Sequence, residues 1–283
     1  MKIVKNISIP GSNGFLIALD IFYEPNKNPR PVLVYAHGFN GFKDWGNFDL
    51  IAEQVCLAGF VVVKFNFSHN GTSPAHPTDF VNLEAFGGNN YSKQLYDLEQ
   101  VVDWVTDPQN EFASAIDVQA VYLLGHSLGG GICILFAGRD PRIKKLLTWA
   151  SISECKTPWG SWPPEKILEW RNTGVQYYKN SRTGQDMPLF YQLYEDYQQH
   201  TENLDIKKAI AGLNIPVLIC HGTDDPAVPI ENAYALSAAQ PAAELFTVAS
   251  DHVFGRKHPW TEERLPVPLQ AVLEKTIGFL RTS

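Results

Sequence analysis

The sequence predicts an α/β fold: a mostly parallel central sheet, helices on both faces, and a helical insertion. Three observations predict it. A short continuous apolar run at residues 32–36 (VLVYA) and a mostly apolar run at 60–67 (FVVVKFNF) alternate with stretches of helical spacing. Such runs read as strands covered on both faces, and strands separated by helices imply parallel neighbours. The 283 residues and 45% hydrophobic content suit one large α/β domain, with or without an insertion. Finally, the alternation breaks once, over residues 153–205, and then resumes.

Taken in order, residues 3–9 and 15–23 are rich in β-formers, and Pro10-Gly11-Ser12-Asn13-Gly14 between them is a turn signal, so an antiparallel hairpin is expected. Residues 25–31 read as a polar loop, and the strand at 32–36 ends in His37-Gly38-Phe39-Asn40-Gly41. Phe48, Ile51, Ala52, Val55 and Ala58 fall on one helical face, with Gly59 as the stop. The strand at 60–67 leads into a loop to about residue 90. Leu95, Leu98, Val101, Val102 and Val105 mark a second amphipathic helix that starts near Asn90 or Ser92. Strands follow at 118–124 and 144–150, with an apolar helix at 132–137 between them.

Residues 153–205 hold Trp159, Trp162, Trp170, Tyr191, Tyr194 and Tyr197 among several prolines, with few Val or Ile. Short helices are expected there at 165–172 and 189–199, and no further sheet layer. Beyond it, a helix at 204–213, a strand at 216–220, a helix at 231–239 and a strand at 243–249 resume the pattern. The terminal helix opens near Thr261, its start delayed by Pro266 and Pro268. The expected division is a core of residues 1–152 and 206–283 and an insertion of 153–205.

Composition narrows the function. A net charge of −7 with no basic run argues against nucleic acid and against anionic membranes. The four cysteines, Cys56, Cys133, Cys155 and Cys220, form no C-x-x-C pair, which fits a reducing compartment and no zinc site. The first residues lack an apolar signal core, and no run approaches the ~18 apolar residues of a membrane span. A soluble cytoplasmic chain is expected, with no metal and no cofactor.

The chemistry centres on Gly125-His126-Ser127-Leu128-Gly129, between a strand and a helix. G-x-S-x-G in that context is a nucleophile elbow, in which small residues let a sharp turn lift the serine Oγ above the sheet. The plain alternative is a glycine-rich turn with an incidental serine. The elbow leaves the Leu128 N–H near a helix N-terminus, free to receive an anion. A serine nucleophile needs a base and an orienting acid, in the order Ser…Asp/Glu…His. Two later strand ends supply them: His221-Gly222-Thr223-Asp224-Asp225-Pro226-Ala227-Val228-Pro229 and Ser250-Asp251-His252-Val253-Phe254. Strand C-terminal ends are where an open α/β sheet places its site.

With these motifs in this order, the chain resembles the α/β-hydrolase superfamily. It is most similar to serine hydrolases that include microbial carboxylesterases, cinnamoyl (feruloyl) esterases and capped acyl-aminopeptidase-like enzymes. The resemblance runs through nearly the whole chain and is weakest in the insertion. It implies the α/β-hydrolase fold and a triad of Ser127, Asp225 and His252. The family pattern H-G-x-x-D-x-x-V-P selects Asp225 over Asp224, and Asp251 adjoins His252 in a turn that points it away. It implies an oxyanion hole made by the backbone N–H groups of Phe39 and Leu128, and a cap formed by residues 153–205. His37, His126 and His221 are then packing or hydrogen-bonding residues beneath the site, and His69, His76, His200 and His258 lie in polar loops. Lys156, Lys166, Arg171, Lys179 and Arg182 are interspersed with acids, the pattern of a solvated face.

The implied activity is hydrolysis of a small-molecule carboxylic ester through an acyl-enzyme. The alternatives are a peptidase or amidase of the prolyl or acyl-aminopeptidase type, and a catalytically silent scaffold that binds a small molecule.

Overall fold

The computed structural model describes residues 1–25 and 28–282; the middle of the polar loop expected at 25–31 lies outside them. The elements in chain order are β1 (Lys2–Pro10), β2 (Leu16–Tyr23), β3 (Arg30–Ala36), α1 (Phe48–Leu57), β4 (Val61–Asn66), α2 (Leu83–Gly87) and α3 (Tyr91–Thr106). Then come β5 (Ile116–His126), α4 (Leu128–Ala137), β6 (Ile143–Trp149), α5 (Pro164–Thr173), β7 (Val175–Lys179), β8 (Asp186–Phe190) and α6 (Gln192–Gln199). The chain closes with α7 (Ile206–Ala211), β9 (Val217–Gly222), α8 (Glu231–Ala239), β10 (Glu244–Val248) and α9 (Val267–Leu280).

Among the described residues, eight strands form one sheet in the order β1-β2-β4-β3-β5-β6-β9-β10. The β1–β2 and β2–β4 pairs are antiparallel, and every pair from β4 to β10 is parallel. Both faces are covered, which is why the central strands read as largely apolar runs. Val32, Val34 and Ala36 of β3 face α3 and α4, while Leu33 and Tyr35 face α1 and α9. Helix α4 is buried from Leu128 to Phe136, as a helix apolar all round must be.

Charged residues also sit inside this frame. Lys64 lies within the apolar run of β4, paired in register with Asp20 on β2. Lys43 and Asp20 are both fully buried and meet at 2.8 Å, and Lys64 also reaches Asp44 and Asp49. The three carboxylates lie within 4.8 Å of one another, each against a lysine.

Residues 153–205 differ from expectation in one respect. Helices α5 and α6 form, but β7 and β8 add an antiparallel hairpin apart from the main sheet. The stretch expected as a helix from residue 189 therefore begins as the end of β8, and α6 starts at Gln192. The signal was present: β-forming Tyr177-Tyr178 and Leu189-Phe190 flank a turn in which Gly184 takes φ 72°. The aromatic residues build a core of their own. Trp170 is fully buried, its ring 5.2–6.2 Å from those of Trp162, Trp159, Tyr191 and Tyr194, and its Nε1–H donates to Leu189 O at 2.7 Å. The loop expected before residue 90 holds the short helix α2, whose Gly87 packs against the Phe190 ring.

Candidate active site

The turn between β5 and α4 places Ser127 at φ 56°, ψ −121°, a region costing a non-glycine residue about 1–3 kcal/mol. Its surroundings hold it there. The Ser127 N–H donates to Trp149 O at the end of β6 at 2.9 Å, and the Gly130 N–H donates to Ser127 O at 3.0 Å. Glycine is required by contact as well as by turn shape. A Cβ on Gly125 would enter the Gly129 carbonyl, and one on Gly129 would enter the carbonyl oxygens of Ala36 and His37. Across the gap, a Cβ on Gly38 would come within 2.8 Å of the Ser127 Cβ, so the loop after β3 passes directly over the serine.

That loop carries Phe39. The N–H of Phe67 donates to His37 Nε2 at 3.3 Å, so the proton sits on Nδ1, which faces Gly38 O at 2.9 Å. Burial pushes the His37 imidazole down to about 4, so it stays neutral and acts as a fixed strut under the loop. Leu128 occupies the first turn of α4, where an amide has no carbonyl of its own helix to donate to. Phe39 and Leu128 line one narrow cleft, with Phe86, Gln94, Leu189 and Leu193 among its walls.

The acid and the histidine come from the ends of β9 and β10. Asp225 is buried, and its Oδ1 accepts from the N–H groups of Ala227 at 2.9 Å and Val228 at 2.8 Å. Its Oδ2 lies 2.7 Å from His252 Nδ1. The carboxylate therefore fixes the His252 proton on Nδ1 and leaves Nε2 with a free lone pair. Burial works to raise the Asp225 carboxyl, but the bonds from His221, His252 and Val228 outweigh it and hold the group well below the usual carboxylate range. The His252 side chain keeps 18% exposure while that of Asp225 has none, so the histidine is open to a ligand and the acid is not.

The competing carboxylates are elsewhere. Asp224 is exposed and accepts from Thr223 Oγ1. Asp251 is exposed and caps its own turn, accepting from the N–H groups of Val253 and Gly255. The three histidines expected beneath the site each make a specific bond. The His126 Nε2–H donates to the His252 carbonyl at 3.0 Å, tying the elbow to the histidine loop. Burial first, then the charges of His252 and Arg256, hold His126 far below the usual imidazole range. The His221 Nε2–H donates to Val228 O at 2.8 Å and lies 3.3 Å from Asp225 Oδ2. His69, expected in a polar loop, is instead buried, its Nδ1 2.8 Å from Ser68 Oγ and its ring 4.6 Å from that of Phe15.

Ser127, Asp225 and His252 thus come to one edge of the sheet from three different strand ends. The Asp225–His252 bond is formed. His126, next to Ser127 in sequence, holds its ring 4.8 Å from that of His252, tilted by 49°. Among the described residues no hydrogen bond joins Ser127 Oγ to the His252 ring; such bonds are commonly long in unliganded sites and close with substrate. Residues 153–205 meet the same region: Tyr178 on β7 packs its ring 5.5 Å from Phe39 and donates its hydroxyl to Asn40 Oδ1. Of their basic residues, Lys156 pairs with Glu154 and Lys179 with Asp186, and Arg182 lies over Phe42 and Phe80.

Residues 31–185 match the family model described as alpha/beta hydrolase fold. Curated relatives include the lysophosphatidylserine lipase ABHD12 of Xenopus tropicalis, 23% identical over 236 residues, covering 80% of this chain and 51% of that protein. The Rattus norvegicus protein of the same name is 22% identical over 263 residues, covering 87% and 56%. The chain thus spans about half the length of the curated relatives it matches. Among solved structures, Est1E from Butyrivibrio proteoclasticus with ferulic acid bound superposes with a TM-score of 0.72 at 21% identity, covering 97% of each chain. The esterase domain of a Rhodothermus marinus protein gives 0.65 at 18%, covering 99% of this chain and 98% of that one. At such identities the structural likeness is one of fold. With the family model running from β3 through the turn at Ser127 and into the insertion, the chain belongs to the alpha/beta hydrolase fold family.

Proposed function

We propose that the chain is a serine-dependent carboxylic-ester hydrolase acting on a small-molecule ester. The observation that carries the reading is the pairing of a buried carboxylate, Asp225, with Nδ1 of a partly open histidine, beside a serine held at a strained turn. His252 Nε2 takes the Ser127 proton as Oγ attacks the ester carbonyl. The backbone N–H groups of Phe39 and Leu128 receive the oxyanion, a contribution worth ~10²–10³ in turnover per donor. The proton on Nε2 then passes to the leaving alcohol. Water, deprotonated by the same nitrogen, releases the acid from Ser127. Asp225 fixes the tautomer and stabilises the imidazolium in both halves. Residues 153–205 act as a cap on the core of 1–152 and 206–283, through the Tyr178 contacts with Phe39 and Asn40. The esterase and lipase names of similar proteins support an ester substrate. The test is a panel of p-nitrophenyl esters and aminoacyl-nitroanilides against the purified protein and Ser127→Ala. Ester turnover that Ser127→Ala abolishes is expected, and turnover of nitroanilides alone would replace this reading with a peptidase.

A further inference from the structure

The cleft beside Phe39 and Leu128 is apolar apart from three carboxamides, one phenol and Thr157, and these polar groups are not equivalent. Tyr91 is committed: its hydroxyl donates to Thr157 O at 3.1 Å and accepts from Thr157 N–H at 3.0 Å. Asn90 is committed as well, accepting from Lys93 N–H at 2.9 Å and donating to Gln192 Oε1 at 2.7 Å. Two oxygens on the same wall are not. Gln94, on the first turn of α3, is only 5% exposed, and its Oε1 is buried without a partner among the described residues. The Oδ1 of Asn89, on the preceding loop, is in the same condition. Both residues line the cleft.

A buried acceptor without a partner forfeits its hydration and gains nothing in return, so two beside one cleft call for an explanation. Leucine or methionine at either position would fill the same wall without that cost. A carboxamide that finds its partner only when the cleft is occupied accounts for both. The walls contributed by Phe86 and Leu193 demand an apolar body, and the carboxamides demand a polar group on it. A hydroxyl suits them best, because it can donate to an amide oxygen and accept from an amide N–H, and so fits a carboxamide in either orientation.

We infer that Gln94 and Asn89 are specificity-determining residues, and that the part of the substrate entering this cleft is a compact apolar group bearing a hydroxyl. The inference rests on the ester-hydrolase reading for its catalytic consequence, though not for binding. Sites built to hydrogen-bond a hydroxyl reject the analogue lacking it strongly, and for two neutral acceptors a preference of about 10²-fold is expected.

The test compares hydroxyl and methyl isosteres. In turnover, p-nitrophenyl 6-hydroxyhexanoate is set against p-nitrophenyl heptanoate for the acyl side, and 2-hydroxyethyl butanoate against propyl butanoate for the alcohol side. Binding is measured separately by calorimetry on the full chain carrying Ser127→Ala, using the same esters. A hydroxyl preference of about 10² in kcat/KM in one series is expected, falling below about threefold in Gln94→Met and substantially in Asn89→Ala, with the binding ratio falling in parallel. The two variants change different elements, so misfolding of one leaves the other as the readout. Equal handling of both members of both pairs, in turnover and in binding, overturns the inference, as does a preference that survives both substitutions. Discrimination in binding by a protein that turns over no ester contradicts the hydrolase reading and leaves this assignment standing.

Discussion

His252 Nδ1 lies 2.7 Å from the Oδ2 of Asp225, whose side chain has no exposed surface. The bond joins the ends of β9 and β10, and two backbone amides on the other carboxylate oxygen leave Asp225 no freedom to turn away. Asp225→Asn keeps the size and removes the charge. It is expected to lower kcat by about 10³–10⁴ with little change in fold, as read by ester turnover and circular dichroism.

The same carboxylate sets an acid limit on stability. Its folded-state pKa is depressed, so its contribution is fully present above the unfolded carboxylate value of about 3.9 and is lost as pH falls toward the folded value. Urea midpoints are therefore expected to fall more steeply with acid below that range in the wild type than in Asp225→Asn. Parallel curves would contradict the assignment.

Gly222 stands where β9 passes beneath the histidine loop. A Cβ there would strike Ser250 O and lie 2.6 Å from Asp251 O. Gly222→Ala is expected to cost about 1–3 kcal/mol in urea unfolding and to displace His252, reducing kcat by roughly 10². A variant with full activity would show that the loop can yield.

Lys43, in the loop that carries Phe39, forms a fully buried pair with Asp20 of β2. Lys43→Met leaves Asp20 short of one partner and is expected to destabilise by about 3–5 kcal/mol in denaturant unfolding. Asp20→Asn in the same chain is expected to recover part of that loss.

The contrast between these sites shows what a single sequence carries. Strands β3 to β6 and helices α1, α3 and α4 were legible because burial on both sheet faces writes itself as apolar runs and helical spacing. The elbow was legible because the turn at Ser127 tolerates little but glycine around it, and Asp225 because family spacing separates it from Asp224. Lys64 and Lys43 were not: their partner Asp20 lies on a strand some twenty or more residues earlier, and pairing across a sheet leaves no local signal. The β7–β8 hairpin left an ambiguous signal, because aromatic residues such as Tyr177, Tyr178 and Phe190 serve a strand or a helix core equally well. Nor could spacing reveal that His126 reaches the His252 carbonyl, or that Gln94 faces the cleft.

The most direct measurement is the intact mass of the folded protein after exposure to a fluorophosphonate, with the modified peptide identified by tandem mass spectrometry. One adduct per chain on Ser127, absent from Ser127→Ala and slowed in Asp225→Asn, is the predicted result. A folded protein that hydrolyses esters yet carries no adduct on Ser127 would contradict the account.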